Sequence, residues 1–275
     1  MKFSRAARAG KRPRTIPQAV RALCLAFPAA EEFESHGTPN FRAREGARKG
    51  RVFALFALNH HGDGHVALWL NTPALEQSRL FASSKHIFKP PYVGPSGWIG
   101  VELNHGMSWK RVCELAHMAY VNSSPPKLVA RISGPPVVAP PQARMKPADI
   151  DRLLAPQAQK ALATLRKICT ALPETDEGMQ MGSVTWRTGK RNFLMLYDVG
   201  KGLTASFWVG VDRQGPLEMD PRFKIPAYLG SNGWIAFDLT RGSSARELRD
   251  LVSESFRHFA TRRAIAALDA TTPVA

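Results

Sequence analysis

Two groups of side chains in the first third of the chain have residue types that could perform chemistry. Glu31, Glu32 and His36 resemble an acid and base set, and the run His60-His61-Gly-Asp-Gly-His65 resembles a metal site. The histidine run lies in a Gly-rich hairpin, where an exposed polar turn is the expected structure. The sequence contains no Gly-x-Ser-x-Gly, Walker or Cys/His nucleophile pattern. It therefore predicts a non-enzymatic protein with no metal and no cofactor.

Arginines follow aromatic residues at two strand-like positions, in the pairs Phe41-Arg42 and Trp186-Arg187. An exposed ring beside a guanidinium could stack on bases while the cation contacts phosphate. Alternation along a strand instead directs the ring into the core and the arginine to the other face. We expect buried rings at both positions, and the role of the arginines in anion binding stays open.

Two glycine-rich loops form a second class of candidate anion site. Tyr92-Val-Gly-Pro-Ser-Gly-Trp-Ile99 and Tyr228-Leu-Gly-Ser-Asn-Gly-Trp-Ile235 share both glycines and both aromatics, and Lys89 and Lys224 precede them. The glycines could let backbone N–H groups approach a phosphate. A tight turn whose tryptophan caps the core is the favoured alternative, and Pro95 removes one donor from the first loop.

The recurring loop indicates that the chain is a duplication. A second stretch aligns at one constant offset without a gap, through the pairs Cys24/Cys169, Pro28/Pro173, Glu32/Glu177, Gly37/Gly182 and Arg42/Arg187. His36 aligns with Met181, so the acid and base set is not repeated. The paired cysteines lie on the apolar face of equivalent helices, which indicates core packing rather than reactivity.

Each half is predicted to contain a helix, about four or five antiparallel strands and a closing helix. Apolar residues at helical spacing mark the first helix of each half, which stops at Pro28 or Pro173. The strand signals cover residues 40–44, 51–58 and 65–70, then 183–187, 192–198 and 203–211. These elements predict an α+β fold of two tandem two-layer sandwiches, each an antiparallel sheet covered by its N-terminal and C-terminal helices.

Composition places the domain boundaries. We predict a basic disordered arm at residues 1–16, a first domain at 17–130, a proline-rich linker at 131–154, a second domain at 155–268 and a tail at 269–275. The arm could lie along phosphates or act only as a solubilising tail. The linker has no apolar period and is predicted to be extended and semi-rigid, with docking on a sheet as the alternative.

The charge balance favours a polyanionic partner. Lys and Arg number 38 against 22 Asp and Glu, a net charge of +16, which is typical of nucleic-acid binding but also fits an Arg-rich solvated surface. The three cysteines form no CxxC pair, so neither a disulfide framework nor a zinc site is expected. No apolar run reaches the length of a membrane span. We expect a cytoplasmic protein without a membrane partner.

Several of these segments together resemble a known family. Phe27-Pro-Ala-Ala-Glu-Glu-Phe-Glu-Ser-His-Gly-Thr-Pro-Asn-Phe-Arg42, with Lys49-Gly-Arg-Val-Phe-Ala and the first glycine-rich loop, looks like the MmcQ/YjbR family over most of residues 18–130. A diverged copy covers residues 157–268 and has lost His36 and Pro39. The resemblance implies a CyaY-like fold for each copy and DNA as a partner.

The leading hypothesis is a tandem protein that binds nucleic acid, with duplex DNA as the expected partner. Phosphate contacts would come from Arg12, Arg14, Arg42, Arg51, Lys89, Arg187, Lys190, Arg191 and Lys224, with Arg262 and Arg263 as further candidates.

The alternative hypothesis is a small-molecule binding or sequestering protein. Its pocket would lie between sheet and helices, lined by Trp69, Tyr92, Trp98 and their counterparts Trp208, Tyr228 and Trp234, together with Glu32 and His36.

Overall fold

The chain forms two compact units. The first consists of residues 1–58 and 64–146, and the second consists of residues 147–275 with the short segment 59–63. The structure, a computed structural model, describes residues 13–46, 48–198 and 202–271. Arg12 and most of the predicted arm, and residues 272–275 of the predicted tail, lie outside the described residues.

The first unit places its helices against a six-stranded antiparallel sheet. The helices are α1 (Ile16–Leu25), α2 (Gln77–Ser83), α3 (Trp109–Ser123) and α4 (Pro126–Val129). The strands are β1 (Ala30–Ser35), β2 (Thr38–Glu45), β3 (Arg48–Leu58), β4 (Val66–Asn71), β5 (Ile87–Phe88) and β6 (Trp98–Glu102). Their spatial order is β1-β2-β3-β4-β6-β5.

The second unit repeats this plan with another six-stranded sheet. Its helices are α5 (Pro147–Ile150), α6 (Pro156–Cys169), α7 (Val211–Glu218), α8 (Ala245–Phe259) and α9 (Arg262–Thr271). Its strands are β7 (Thr175–Gln180), β8 (Ser183–Thr188), β9 (Arg191–Asp198), β10 (Leu203–Trp208), β11 (Phe223–Lys224) and β12 (Trp234–Asp238). The order β7-β8-β9-β10-β12-β11 matches that of the first sheet, so the two-layer α+β prediction is confirmed for both copies.

Helix α1 begins earlier than the sequence predicts. Thr15 and Gln18 form a capping box, and the Ile16 side chain is buried. The Phe27 ring, just beyond the helix, stacks on Tyr120 of α3 with centroids 4.5 Å apart. The predicted arm therefore loses at least its last two residues to the first domain.

A matching bulge in each sheet turns one phenylalanine toward the helices. The pairing of β2 with β3 shifts at Arg42, and the pairing of β8 with β9 shifts at Arg187. The extra residues, Phe53 and Phe193, are fully buried. Phe53 meets Tyr120 edge-on at 5.4 Å, and Phe193 meets Phe256 of α8 in the same way at 5.4 Å. Through these ring contacts the bulges help to hold α3 and α8 against equivalent strands.

The opposite faces of the two sheets differ in chemistry. In the first unit the cluster of Ala57, Ala67 and Trp69, with Phe88 and Trp98 packed against it, makes this face apolar. In the second unit the corresponding rows carry polar side chains, and Tyr197 and Ser206 share a hydrogen bond of 3.0 Å. Polar residues here leave the second sheet suited to solvent on this side.

The elements that the sequence patterns missed include β1, β7 and α7. Strands β1 and β7 are edge strands rich in polar residues, so they show little of the apolar alternation that marks a half-buried strand. Helix α7 forms despite Gly215 and Pro216, and its buried Gln214 holds the neighbouring loop. Tertiary contacts override weak local propensity at all three places.

The predicted linker is largely packed onto its neighbours. The Trp109 indole Nε1 donates to the Val138 carbonyl at 2.9 Å. Asn104 bonds the backbone of Met145 twice, at 3.1 and 2.7 Å. Leu153 is buried in the core of the second unit. These contacts favour a docked segment over a linker that stands apart from the domains, because residues in 131–154 satisfy polar and apolar groups of the domains.

Candidate functional site

The β8–β9 hairpin of the second unit presents three predicted cationic residues. Arg187 lies 3.9 Å from Asp176, and both side chains are about half exposed or more, at 52% and 68%. Lys190 and Arg191 are exposed and form no ion pair with any described residue. This hairpin thus carries two cations whose charge is not neutralised locally.

The equivalent β2–β3 hairpin of the first unit is more strongly self-paired. The Arg42 guanidinium donates to Glu31 at 2.6 Å and lies 4.1 Å over the Phe33 ring. Its hydrogen bond, with that of Arg44, lowers the pKa of the Glu31 carboxyl. Arg42 is therefore engaged within the protein, whereas Arg51 is exposed without an ion pair among the described residues.

The aromatic partners of Arg42 and Arg187 are buried on the helix side. Phe41 is 1% exposed and Trp186 is 2% exposed. The alternation interpretation is confirmed at both positions, and neither ring is available to stack on a base.

The glycine-rich loops are 3₁₀ turns whose backbone donors are mostly used internally. In the second loop the N–H groups of Gly230, Asn232 and Gly233 bond to Pro226, Leu229 and Gly230, and the first loop has the same bonds at Gly94, Ser96 and Gly97. Gly97 and Gly233 have φ values of 92° and 83°, which favour glycine. The phosphate-nest interpretation is wrong because these donors point at their own turn.

A glutamine fixes each loop; it is half-buried in the first unit and buried in the second. Gln77 Nε2 donates to the carbonyls of Gly94 at 2.7 Å and Trp98 at 2.8 Å. Gln214 makes the same two bonds to Gly230 and Trp234, both at 2.7 Å. The sequence analysis missed this pair, although each glutamine lies at a similar distance before its loop.

Lys89 and Lys224 are exposed but do not occupy equivalent positions. Phe88 pairs with Gly100, and Lys224 pairs with Ala236, which holds the place of Gly100 in the second loop strand. Lys224 therefore corresponds to Phe88. The one-residue slip matters because neighbouring strand residues point to opposite faces.

An open groove of about 630 Å³ lies at one end of the second sheet. We call it the aromatic groove, and its main lining residues are Arg191, Met195, Trp208, Trp234, His258 and Phe259. It combines side chains from β9, β10, β12 and α8. Arg191 was predicted as a phosphate ligand, whereas Trp208 and Trp234 were predicted as pocket residues, and the structure brings the three together.

Helix α8 positions the aromatic wall of this groove. The Ser255 hydroxyl accepts a hydrogen bond from the backbone N–H of Trp208 at 2.9 Å and donates to the Phe193 carbonyl at 2.5 Å. One turn along, His258 stacks on the Trp208 indole with centroids 3.4 Å apart and planes 9° from parallel. Phe259 packs against Trp234 at 5.7 Å.

The charge state of His258 follows from its neighbours. Partial burial of the ring, and secondarily the positive charge of Arg191, lower the pKa of the His258 imidazole. A lowered pKa keeps the ring neutral at pH 7, so the cationic charge of the groove rests on Arg191.

The first unit builds the same junction from asparagines. Asn71 pairs with Trp98 across the sheet just as Trp208 pairs with Trp234, so Asn71 rather than Trp69 is the counterpart of Trp208. Counted in residues from the N-cap of its helix, Asn122 of α3 corresponds to His258 of α8. The Asn122 Nδ2 donates to the Asn71 backbone carbonyl at 3.1 Å. The aromatic stack is therefore particular to the second copy.

The other predicted pocket residues are not gathered between sheet and helices. Tyr92 and Tyr228 are 71% and 87% exposed, and Trp69 and Trp98 belong to the apolar cluster on the opposite face. A pocket at that location is therefore not formed by these rings, since sheet register places them on other surfaces.

Glu32 and His36 have separate structural partners. Arg21 binds Glu32 through two nitrogens at 2.6 and 2.7 Å, and Arg166 grips Glu177 in the same way. His36 occupies a positive-φ turn and bonds Ser35 at 3.0 Å, not Glu32. The repeated arginine–glutamate pair indicates a link between the first helix and the first strand of each unit. Arg21 and Arg166 share the offset of Glu32 and Glu177, so the duplication itself contained this signal.

The remaining candidates are distributed over the surface. Arg14 is exposed, and Arg263 pairs with Glu174 at 2.7 Å. Cys24, Cys113 and Cys169 are buried free thiols, and burial raises the pKa of each. Across the described ranges, no cluster of three His, Cys, Asp or Glu side chains has metal-binding geometry. Nor does any helix in the described part of the chain have the length and apolar character needed to cross a membrane.

Comparison with known proteins identifies the family. A family model described as YjbR matches residues 25–121 and again residues 170–258. This chain belongs to the YjbR family. Each matched segment contains one sheet, so the YjbR domain occurs twice in tandem.

A solved structure is also similar to part of this chain. A crystal structure of Deinococcus radiodurans protein DR2400, described as domain DUF419, is similar with 18% sequence identity and a TM-score of 0.34. The similarity covers 39% of this chain and 87% of that chain. No curated protein sequence matches the chain.

Proposed function

We propose that this YjbR protein binds nucleic acid without catalysis, in the cytoplasm, through phosphate contacts made by cations of its two units. The observation that carries the proposal is the β8–β9 hairpin, where Lys190 and Arg191 are exposed and lack an acidic partner among the described residues. The net charge of +16 supplies the long-range attraction to a polyanion.

The first unit contributes weaker candidates. Arg51, Lys89 and Arg14 are exposed and lack ion pairs within the described ranges, whereas Arg42 is held by Glu31. Two weak modules in one chain raise the local concentration of each for a long strand. Contacts of this kind fix position on the backbone and carry no base preference.

The test is fluorescence anisotropy with a labelled random duplex at about 50 and 200 mM salt. The variant Lys190→Ala/Arg191→Ala removes two cations, and Lys160→Ala/Lys167→Ala on α6 removes two exposed cations elsewhere. We expect the hairpin variant to reduce the salt slope by about 2, since each lost phosphate contact removes about 1. Equal slopes for both variants, or no binding at low salt, contradicts the proposal.

A chain lacking residues 1–12 separates the arm from the folded units. This truncation removes Arg12 but leaves the Thr15 cap of α1 intact. Binding that survives the truncation assigns the phosphate contacts to the units. Binding that disappears with the arm contradicts the hairpin assignment.

A second candidate function is small-molecule binding, which the aromatic groove favours. Its volume of about 630 Å³ is in the usual range for ligand pockets, and most of its main lining is aromatic or apolar. A ligand that raises the melting temperature independently of salt, with no duplex binding, would select this function.

A further inference from the structure

The aromatic groove is an addition to the fold rather than a requirement of it. The first unit closes the same junction between strand end and helix end with Asn71 and Asn122. The second unit places an indole and an imidazole at those two positions, stacked 3.4 Å apart. Since the asparagine pair suffices for folding in one copy, the aromatic pair in the other copy is free to serve a ligand.

The open surface of the groove has two chemical parts. His258 is exposed, so its stack with Trp208 presents an aromatic wall to the groove. Arg191 borders the same groove, is exposed, and forms no ion pair with a described residue. An aromatic platform beside an unneutralised guanidinium matches a planar ring that carries an anion.

We propose that the aromatic groove holds an unpaired base of a single-stranded nucleic acid, with the adjacent phosphate against Arg191. The inference rests on the proposed function. It specifies the ligand of the groove as a strand with accessible bases rather than any phosphate backbone. A duplex hides both faces of each base within its stack, so only an unpaired base can use the groove. The neutral His258 ring extends the stack without adding a charge.

The test compares a labelled single strand of about 15 nucleotides with the duplex of the same sequence, at about 50 and 200 mM salt. The variant Trp208→Asn/His258→Asn transplants the asparagine pair of the first unit. We expect its affinity for the single strand to fall about tenfold to hundredfold, the loss typical of one base stack, while duplex affinity is unchanged. Tyr228→Ala removes an aromatic ring that is 87% exposed and does not line the groove, so it serves as the matched control.

The outcomes separate the two proposals. If both probes bind in a salt-dependent way and the double substitution changes neither affinity, the groove inference is overturned and the proposed function stands. An equal loss on both probes also overturns it, because a stacking site must discriminate between them. Absence of salt-dependent binding to either probe ends the proposed function.

A second measurement tests the groove inference even if neither probe shows salt-dependent binding. Saturation-transfer NMR with deoxyadenosine 5′-monophosphate reports whether the base protons contact the protein. Saturation of the adenine protons that is lost in Trp208→Asn/His258→Asn and kept in Tyr228→Ala supports the groove. No saturation, or saturation that persists in the double variant, overturns it. Circular dichroism of the variant checks that the transplanted asparagines preserve the fold.

Discussion

Several single residues make the same structural contacts in both copies. The amides of Gln77 and Gln214 each bind two loop carbonyls, and Arg21 and Arg166 each bind one glutamate of the first strand. Side chains that recur with the same partners after divergence are those on which the local backbone depends. Their repetition assigns Glu32 to folding, while the groove residues differ between the copies.

The loop glutamine provides a direct test at this scale. We expect Gln214→Ala to reduce the free energy of unfolding by about 2 to 3 kcal/mol, because two buried carbonyls each lose one hydrogen bond and the Gly230 carbonyl keeps only that from the Gly233 N–H. Gln157→Ala, at an exposed position of α6, should change it by less than about 0.5 kcal/mol. Urea unfolding of both variants measures the difference. Equal stabilities would mean that the loop does not depend on this amide.

At the scale of elements, the closing helix of each unit helps to determine whether amide or aromatic side chains line the end of the sheet. Helix α8 carries Ser255 and His258 on one face, so the same helix anchors the Trp208 backbone and covers its ring. Helix α3 has Ala119 and Asn122 at the same distances from its cap. Two changes on one helix face, together with Trp208 on the strand in place of Asn71, thus distinguish the aromatic groove from the amide junction.

Removing the anchor tests this view of α8. Ser255→Ala deletes a buried bond to the Phe193 carbonyl and a partly buried bond from the Trp208 backbone N–H, and should cost about 1 to 3 kcal/mol of unfolding free energy. Ser253→Ala on the same helix is the matched control, with an expected change below about 0.5 kcal/mol. Chemical denaturation followed by tryptophan fluorescence reports both stability and the environment of Trp208. A Ser255→Ala protein as stable as the control would contradict the anchoring role.

At the scale of the whole molecule, each unit has its own sheet, its own helices and its own buried core. The segment predicted as a linker contributes to these cores and loops instead of standing free. The limits of each folded unit therefore lie near Lys146 rather than near residue 130.

Truncated chains measure where the first unit ends. A chain of residues 1–146 keeps the bonds from Trp109 to Val138 and from Asn104 to Met145, whereas one of residues 1–130 loses all three. We expect the shorter chain to be less stable by about 2 to 4 kcal/mol, at about 1 kcal/mol per hydrogen bond plus the exposed surface. Thermal and urea unfolding of the two chains make the comparison. Identical unfolding curves would contradict a stabilising role for residues 131–146.

The sequence by itself determined the features that depend on local or repeated patterns. The duplication follows from the recurrence of whole segments. The first and closing helices, the central strands and the burial of Phe41 and Trp186 follow from spacing within about 15 residues. Edge strands β1 and β7 escaped because their polar residues, such as Glu31 and Asp176, lack the alternation of a half-buried strand.

Only the tertiary structure decided which side chains share a surface. Strand pairing sets Trp208 beside Trp234 and Lys224 opposite Ala236, and a shift of one residue would reverse the face of each. The stack of His258 on Trp208 joins residues far apart in sequence, and no local pattern predicts it. Local propensity fixes the elements, whereas register and helix docking depend on contacts between distant segments, and the aromatic groove belongs to that second kind.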